Sequence, residues 1–68
     1  MTEGEYRVGI AFNPGGNEIV DVIKRKTAEL IDMVEEAGND GRCTSLAQTA
    51  FEDAAMWAVK SVTKPDRE

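Results

Sequence analysis

A long amphipathic segment at residues 17–36 constrains the fold most, because its apolar side is too wide for one neighbouring helix. At about 100° per residue, the apolar side chains cover about half of the helical circumference. A surface helix needs a stripe of only roughly 100° to pack on a single neighbour. More than one chain is therefore implied. The apolar residues of the segment are Ile19, Val20, Val22, Ile23, Leu30, Ile31, Met33 and Val34.

The limits of this segment and of a second one are marked by capping and turn residues. Asn17 is a suitable N-cap for a helix that begins beside it. The stretch AGNDGR, residues 37–42, combines glycine, asparagine and aspartate, which stop a helix and turn the chain. Thr44 or Ser45 can cap a further helix. The sequence therefore predicts helices at 17–36 and 44–63 joined by a turn at 37–42.

The second predicted helix is rich in small residues. Five alanines between positions 47 and 58 allow a neighbouring backbone to come close, while Phe51 and Trp57 supply bulk. We assign Trp57 to packing in the core or at an interface. Two helices joined by about six residues pack as an antiparallel hairpin. The predicted fold class is therefore all-α, an antiparallel two-helix hairpin.

The residues ahead of the first predicted helix alternate in polarity. Apolar side chains occupy every second position from Tyr6 to Phe12, which is the period of an extended strand. Pro14 and the two glycines that follow it then form a turn. We expect a short extended N-terminal arm at 5–13, within a single domain that covers residues 1–68.

Small size limits how the chain can be stabilised. The chain has 68 residues, with one cysteine and no histidine. A domain this small buries only about 60% of its unfolded surface and usually needs disulfides, a metal or partner chains. Cys43 alone cannot form an intrachain disulfide, and histidine is the commonest metal ligand. We therefore expect a homo-oligomer and no metal site.

Composition also excludes several classes of function. The net charge of −5 argues against binding of duplex nucleic acid, which needs a basic face. No apolar stretch approaches the roughly 18 residues of a membrane span, and the N-terminus does not resemble a signal peptide. A cytoplasmic protein without a membrane partner is expected. With no histidine to act as a base, we expect no enzyme and no cofactor.

Two stretches can contact a ligand. Lys24, Arg25 and Lys26 concentrate positive charge in an acidic chain, and Lys26 falls inside the apolar arc of its helix. The Lys26 ammonium has two possible positions. It either extends to water past apolar neighbours, or it faces a junction between subunits, where an anionic ligand neutralises the charges of several copies of Lys26. Phe12 either covers one end of the hairpin or stacks on a nucleobase. Arg42 is either a solvated loop residue or a phosphate contact.

The motifs FNPGGNEIVDVIKRKTAELID and AFEDAAMWAVKSV resemble a specific family. They are similar to the small helical-hairpin proteins that phages use as nucleotide sponges, the anti-CBASS and Thoeris anti-defence proteins. The resemblance covers about residues 8–63. It implies hexamers of hairpins that sequester cyclic nucleotide signals without cleaving them. The ligands that it implies are cyclic dinucleotides, cyclic trinucleotides and cyclic ADP-ribose isomers.

The resemblance also implies roles for individual residues. Phe12 matches an aromatic residue that stacks on a base, and Lys24 matches a lysine that meets the dinucleotide. Lys26 matches a trinucleotide contact, whereas Gln48 stands where the family has an arginine. Arg42 is the candidate contact for an ADP-ribose-type ligand. The expected ligand-binding residues are Phe12, Asn13, Pro14, Lys24, Lys26 and Arg42.

The leading hypothesis is therefore a non-enzymatic sponge for cyclic oligonucleotides or cyclic ADP-ribose-type signals in the host bacterial cytoplasm. The alternative is a non-catalytic hairpin module that oligomerises or binds a host protein. A nucleic-acid mimic is a weaker hypothesis, because the acidic residues are scattered along the chain. The combination of Phe12 with Lys24 and Lys26 favours the sponge, since a pure oligomerisation module has no need to place them together.

Overall fold

The computed structural model describes residues 1–67, which contain three α-helices and no strand. Helix α1 spans Glu3–Val8, α2 spans Glu18–Ala37 and α3 spans Gly41–Thr63. Helices α2 and α3 pack side by side, and α1 lies mainly against α2. None of the three helices is long and apolar enough to cross a membrane. The predicted all-α class is confirmed, and the arrangement is consistent with the predicted hairpin.

The predicted extended arm at 5–13 is wrong, because most of it belongs to α1 and a loop. Thr2 and Glu5 form a capping box: Thr2 Oγ1 accepts from Glu5 N at 3.1 Å, and Glu5 Oε1 accepts from Thr2 N at 2.8 Å. Gly9 ends α1 in the left-handed region with φ of 64°, and Ile10 N donates to Glu5 O at 3.0 Å. These local hydrogen bonds outweigh the alternating pattern that predicted a strand.

Helix α1 approaches α2 closely at Gly4. A Cβ atom at Gly4 would lie within 2.8 Å of Ala28 Cα, so any side chain there collides with the α2 backbone. Gly4 N also donates to Asp32 Oδ1 at 2.7 Å, which provides a partner for one of the free N–H groups at the start of α1. Because Gly4 has no side chain and Ala28 has only a methyl group, the backbones of α1 and α2 can approach each other closely.

The contact between α2 and α3 combines a small apolar core with a polar link. Ile31 is completely buried. Gln48 is also buried, and its Nε2 donates to Ile31 O at 3.1 Å and to Glu35 Oε2 at 2.7 Å. Because both donors of the amide are used, Gln48 joins the two helices. The buried hydrophobic residues of the described chain are Val20, Ala28, Ile31 and Ala55.

Helix α3 begins three residues before its predicted start. Asp40, rather than Thr44 or Ser45, is the N-cap, and its Oδ1 accepts from Cys43 N at 2.8 Å. This backbone hydrogen bond lowers the pKa of Asp40 below its ordinary value. Asn17 caps α2 as the sequence predicts, accepting from Ile19 N at 2.8 Å. The turn between the long helices is therefore shorter than predicted.

Even with α1 and α3 both packed against it, α2 keeps part of its apolar face uncovered, in agreement with the width of that face in the sequence. Val20 and Ile31 point into the hairpin, on the side that α1 and α3 cover. A second group of α2 residues lies within an arc of about 60° that faces away from this side. We call this group the outer stripe; it consists of Ile19, Lys26, Leu30 and Met33, all exposed in the single chain. Leu46 and Trp57 of α3 are likewise exposed.

We expect Gly4→Ala to detach α1 from α2. The added methyl group has no room beside Ala28, and overpacking of this kind costs about 1–3 kcal/mol. The free energy of unfolding from urea denaturation should fall, and amide exchange in α1 should accelerate more than in α2. Gly15→Ala is the matched control, since a Cβ there meets nothing within 4 Å. An equal effect of both substitutions would contradict the role assigned to Gly4.

We also expect Asp40 to make the stability depend on pH. Because the folded pKa of Asp40 is lower than the unfolded one, its carboxylate stabilises the folded state above about pH 4. This contribution is lost as the pH falls through the folded pKa. Asparagine caps a helix about as well without titrating. The Tm of Asp40→Asn should therefore rise relative to wild type as the pH is lowered from neutral.

Thermal unfolding followed by circular dichroism between neutral pH and about pH 2.5 measures this difference. Asp53→Asn is the control, because Asp53 is an exposed carboxylate in the middle of the same helix, where it caps nothing. A Tm difference between Asp40→Asn and wild type that stays constant over this range would show that Asp40 does not contribute in this way.

Candidate functional site

The loop between α1 and α2 is closed by a series of short hydrogen bonds. Phe12 N donates to Gly9 O at 2.9 Å, and Gly16 N donates to Asn13 O at 3.0 Å. The Asn13 side chain donates to Asn17 O at 2.8 Å and accepts from Asn17 N at 3.2 Å. Gly16 has a positive φ of 61°, which allows the chain to turn back into α2. The loop therefore has a defined shape, with Pro14 exposed at its tip.

The ring of Phe12 is presented to solvent by this loop. Phe12 exposes 73% of its surface, so it does not cover the end of the hairpin in the single chain. Tyr6 on α1 is exposed to the same extent. What distinguishes Phe12 from Tyr6 is the cation beside it, since Lys24 Nζ lies 5.4 Å from the centre of the Phe12 ring.

Lys24 reaches the loop from the second turn of α2. It is only 8% exposed, and its Nζ donates to Gly9 O at 2.9 Å and also to Phe12 O. None of the ion pairs among residues 1–67 involves Lys24. Its charge is therefore stabilised by carbonyl dipoles and by the aromatic ring. The structure brings Phe12 and Lys24 together, as expected from the sequence, through contacts that the sequence did not reveal.

The two neighbouring cations lie elsewhere on α2. Arg25 Nε donates to Asp21 Oδ2 at 2.8 Å in an exposed ion pair, which stabilises the helix only slightly. Lys26 is turned about 200° from Lys24 around the helix axis and lies in the outer stripe. Within one chain, the run of three cations therefore points in three directions. Among the described residues, Lys24 is the one of the three that donates hydrogen bonds to the Phe12 loop.

Arg42 lies near the opposite end of the hairpin from Phe12. It is exposed in the first turn of α3, just after the turn that follows Ala37. The stretch of α2 from Lys24 to Ala37 is about 20 Å long at 1.5 Å per residue. A single chain therefore does not bring Arg42 to the Phe12 loop.

Gln48 is unsuited to ligand contact in this arrangement. The resemblance led us to expect Gln48 in place of a family arginine, and the structure leaves only 3% of Gln48 exposed. Its amide group donates within the hairpin to Ile31 and Glu35. Gln48 therefore links α3 to α2 inside the hairpin, and its amide is not presented to a ligand.

Sequence reasoning missed a groove between the three helices beside the site. The groove has a volume of about 460 Å³. At its edge, Arg7 pairs with Glu3 at 2.8 Å and with Glu52 on α3 at 3.4 Å. The hydrogen bond with Glu3 raises the pKa of Arg7 above its ordinary value. The capping-box spacing of Thr2 and Glu5 could have revealed α1, and with it the position of Arg7.

A family model described as the Acb2/Tad1 hairpin domain matches residues 4–63. The chain belongs to this family. The Acb2/Tad1 proteins are anti-CBASS and anti-Thoeris sponges, which act by binding, so the resemblance seen in the motifs is confirmed. The match begins at Gly4, the second residue of α1, and therefore includes most of α1 as well as the two long helices. Searches of curated proteins and of solved structures give no significant match.

Proposed function

We propose that this chain is a phage sponge that binds cyclic nucleotide second messengers, does not cleave them, and so blocks antiphage signalling in the host cytoplasm. The observation that carries the proposal is the exposed Phe12 ring beside the buried ammonium of Lys24, in a member of the Acb2/Tad1 family. The proposed ligands are cyclic dinucleotides and cyclic ADP-ribose isomers, with cyclic trinucleotides as a further class.

Phe12 provides the surface on which a base stacks. Every nucleobase has an aromatic face, and stacking on a protein ring contributes about 1–3 kcal/mol per base. Because the Phe12 ring is already exposed and sits on a hydrogen-bonded loop, binding buries apolar surface without first moving the ring. Asn13 and Pro14 directly follow Phe12 in the same loop, and we assign them to the edge of the proposed binding surface.

The remaining cations of the proposed site are supplied by other copies of the chain. Lys26 and Arg42 are exposed, and both lie away from the Phe12 loop of their own chain. An assembly in which the outer stripes meet would bring copies of Lys26 together, where their repulsion favours an anionic ligand. We therefore propose a homo-oligomer, a hexamer by the resemblance, as the binding form.

Binding without cleavage is supported by the class of the family and by the residues at hand. The Acb2/Tad1 proteins are binding sponges. Hydrolysis of a phosphodiester requires activation of a nucleophile, and the chain has no histidine to serve as a general base. Recovery of unchanged ligand after denaturation of a complex is the direct measurement.

We expect Phe12→Ala to weaken binding of at least one class of cyclic nucleotide by about 5- to 150-fold, the range set by loss of one stacking contact. Isothermal titration calorimetry with cyclic di-GMP, cyclic di-AMP, a cyclic trinucleotide and cyclic ADP-ribose measures this. Tyr6→Ala is the matched control, because Tyr6 is an equally exposed aromatic residue that lies on α1 and outside the Phe12 loop, and it should bind like wild type.

Two outcomes of these titrations would contradict the proposal. The first is that the wild-type protein binds none of these ligands, even at concentrations well above micromolar, in which case it is not a sponge for them. If that protein still self-associates, the hairpin module that oligomerises or binds a host protein becomes the better description. Equal losses in Phe12→Ala and Tyr6→Ala would mean that Phe12 has no special role.

We expect the outer stripe to mediate self-association. Leu30→Lys places a charge among apolar side chains that meet in the assembly, and it should shift the mass toward the 7.4 kDa monomer. Analytical ultracentrifugation with the wild type at the same concentrations measures the shift. Glu36→Lys, an exposed change on the polar side of α2, is the control. Wild-type protein that sediments as a monomer would contradict the proposed assembly.

A further inference from the structure

We propose that the groove between α1 and α3 is a base pocket that prefers guanine to adenine, with Arg7 and Asp53 as the residues that recognise the base. This inference rests on the proposed function, because it names the class of cyclic nucleotide that the sponge binds most tightly. The observations that carry it are the volume of the groove, its apolar lining and the opposite charges of Arg7 and Asp53, which both line it.

The groove has the size and the lining of a small-molecule site. Its volume of about 460 Å³ lies within the range of about 300–1,000 Å³ that is typical of ligand pockets. A flat ring with polar groups only at its edges, such as a nucleobase, suits a lining that combines apolar surface with a few charged groups. The apolar residues of the lining are Val8, Ala55, Met56 and Val59.

The groove adjoins the loop that carries Phe12. The Lys24 side chain lines the groove, and its Nζ also lies 5.4 Å from the centre of the Phe12 ring. A ligand held at Phe12 therefore has a base within reach of the groove. Its phosphates do not suit the groove itself, because the carboxylates of Glu52 and Asp53 line it and repel an anion.

Arg7 is held in place and still has donors for a ligand. Its Nε donates to Glu3 at 2.8 Å, and its Nη1 donates to Glu52 at 3.4 Å. A guanidinium has five N–H donors in a planar fork, so three remain after these two hydrogen bonds. Guanine presents two neighbouring acceptors, N7 and O6, which arginine binds with two hydrogen bonds. Adenine has an amino group in place of O6, and this donor would face the donors of Arg7.

Asp53 supplies acceptors for the other edge of guanine. None of the ion pairs found among residues 1–67 includes Asp53. The N1–H and the exocyclic amine of guanine are neighbouring donors, and one carboxylate accepts from both. Adenine has an acceptor at N1, which a carboxylate repels. Asp53 therefore favours the same base as Arg7.

The decisive experiment compares three cyclic dinucleotides that differ only in their bases. They are cyclic di-GMP, cyclic di-AMP and cyclic di-IMP, whose hypoxanthine keeps N7 and O6 but lacks the exocyclic amine of guanine. By isothermal titration calorimetry, wild type should bind cyclic di-GMP about tenfold or more tightly than cyclic di-AMP, the size expected for one bidentate contact. The affinity for cyclic di-IMP should lie between the two.

Variants of the two residues should each remove one part of this preference. Arg7→Lys keeps the charge but loses the fork, so the ratio of Kd values between cyclic di-AMP and cyclic di-IMP should fall toward one. Asp53→Asn should reduce the ratio between cyclic di-IMP and cyclic di-GMP to less than about twofold. Because each ratio is measured within one variant, a general loss of stability does not imitate either result.

Two variants serve as matched controls. Arg25→Lys changes an exposed arginine of α2 that pairs with a carboxylate four residues earlier, as Arg7 does, but that does not line the groove. Glu36→Gln removes an exposed carboxylate on the polar side of α2. Both should keep the wild-type ratios among the three ligands.

Equal affinity of wild type for cyclic di-GMP and cyclic di-AMP would overturn the inference, as would ratios that Arg7→Lys and Asp53→Asn leave unchanged. The proposed function survives both results, since the protein still binds cyclic nucleotides. Wild type that binds cyclic ADP-ribose or a cyclic trinucleotide but none of the three dinucleotides would also overturn the inference alone. Wild type that binds no cyclic nucleotide at all would overturn the proposed function and the base preference together.

Discussion

Two side chains of α2 hold the two ends of α1, and the arrangement of the site depends on them. Asp32 accepts from Gly4 N at the start of α1, and Lys24 donates to Gly9 O at its end. Their charges match the helix dipole, which is positive at the N-terminus and negative at the C-terminus. Because Gly4 has no side chain, α1 can come close enough for both contacts. The position of the Phe12 loop follows from this docking.

The two sides of α2 consequently serve different purposes. The side with Val20 and Ile31 binds α1 and α3. The outer stripe remains apolar and exposed, with Lys26 in its middle. A small binding protein that assembles from several copies can thus use a very small internal core. In the proposed assembly the ligand-contacting groups come from different chains, which is consistent with the separation of Phe12 from Arg42 in a single chain.

Local signals explain which elements were predictable. Helix α2 was predicted to within one residue at each end, because the 3.6-residue period and the Asn17 cap are both local in sequence. The start of α3 was misplaced, because Asp40 and Thr44 are both good caps and only the structure shows which one is used. Helix α1 was missed, because four alternating apolar residues resemble a strand, although the capping-box spacing of Thr2 and Glu5 was present.

The sequence by itself determined the long amphipathic helices, the turn at Pro14 and the family to which the chain belongs. It also placed Phe12 close to Lys24, because the loop is short and leads directly into α2. Only the tertiary structure decided that the Lys24 ammonium faces two backbone carbonyls and that Gln48 is buried between helices. These facts depend on how helices cross, and the crossing places groups from distant parts of the chain within hydrogen-bonding distance, which no local pattern specifies.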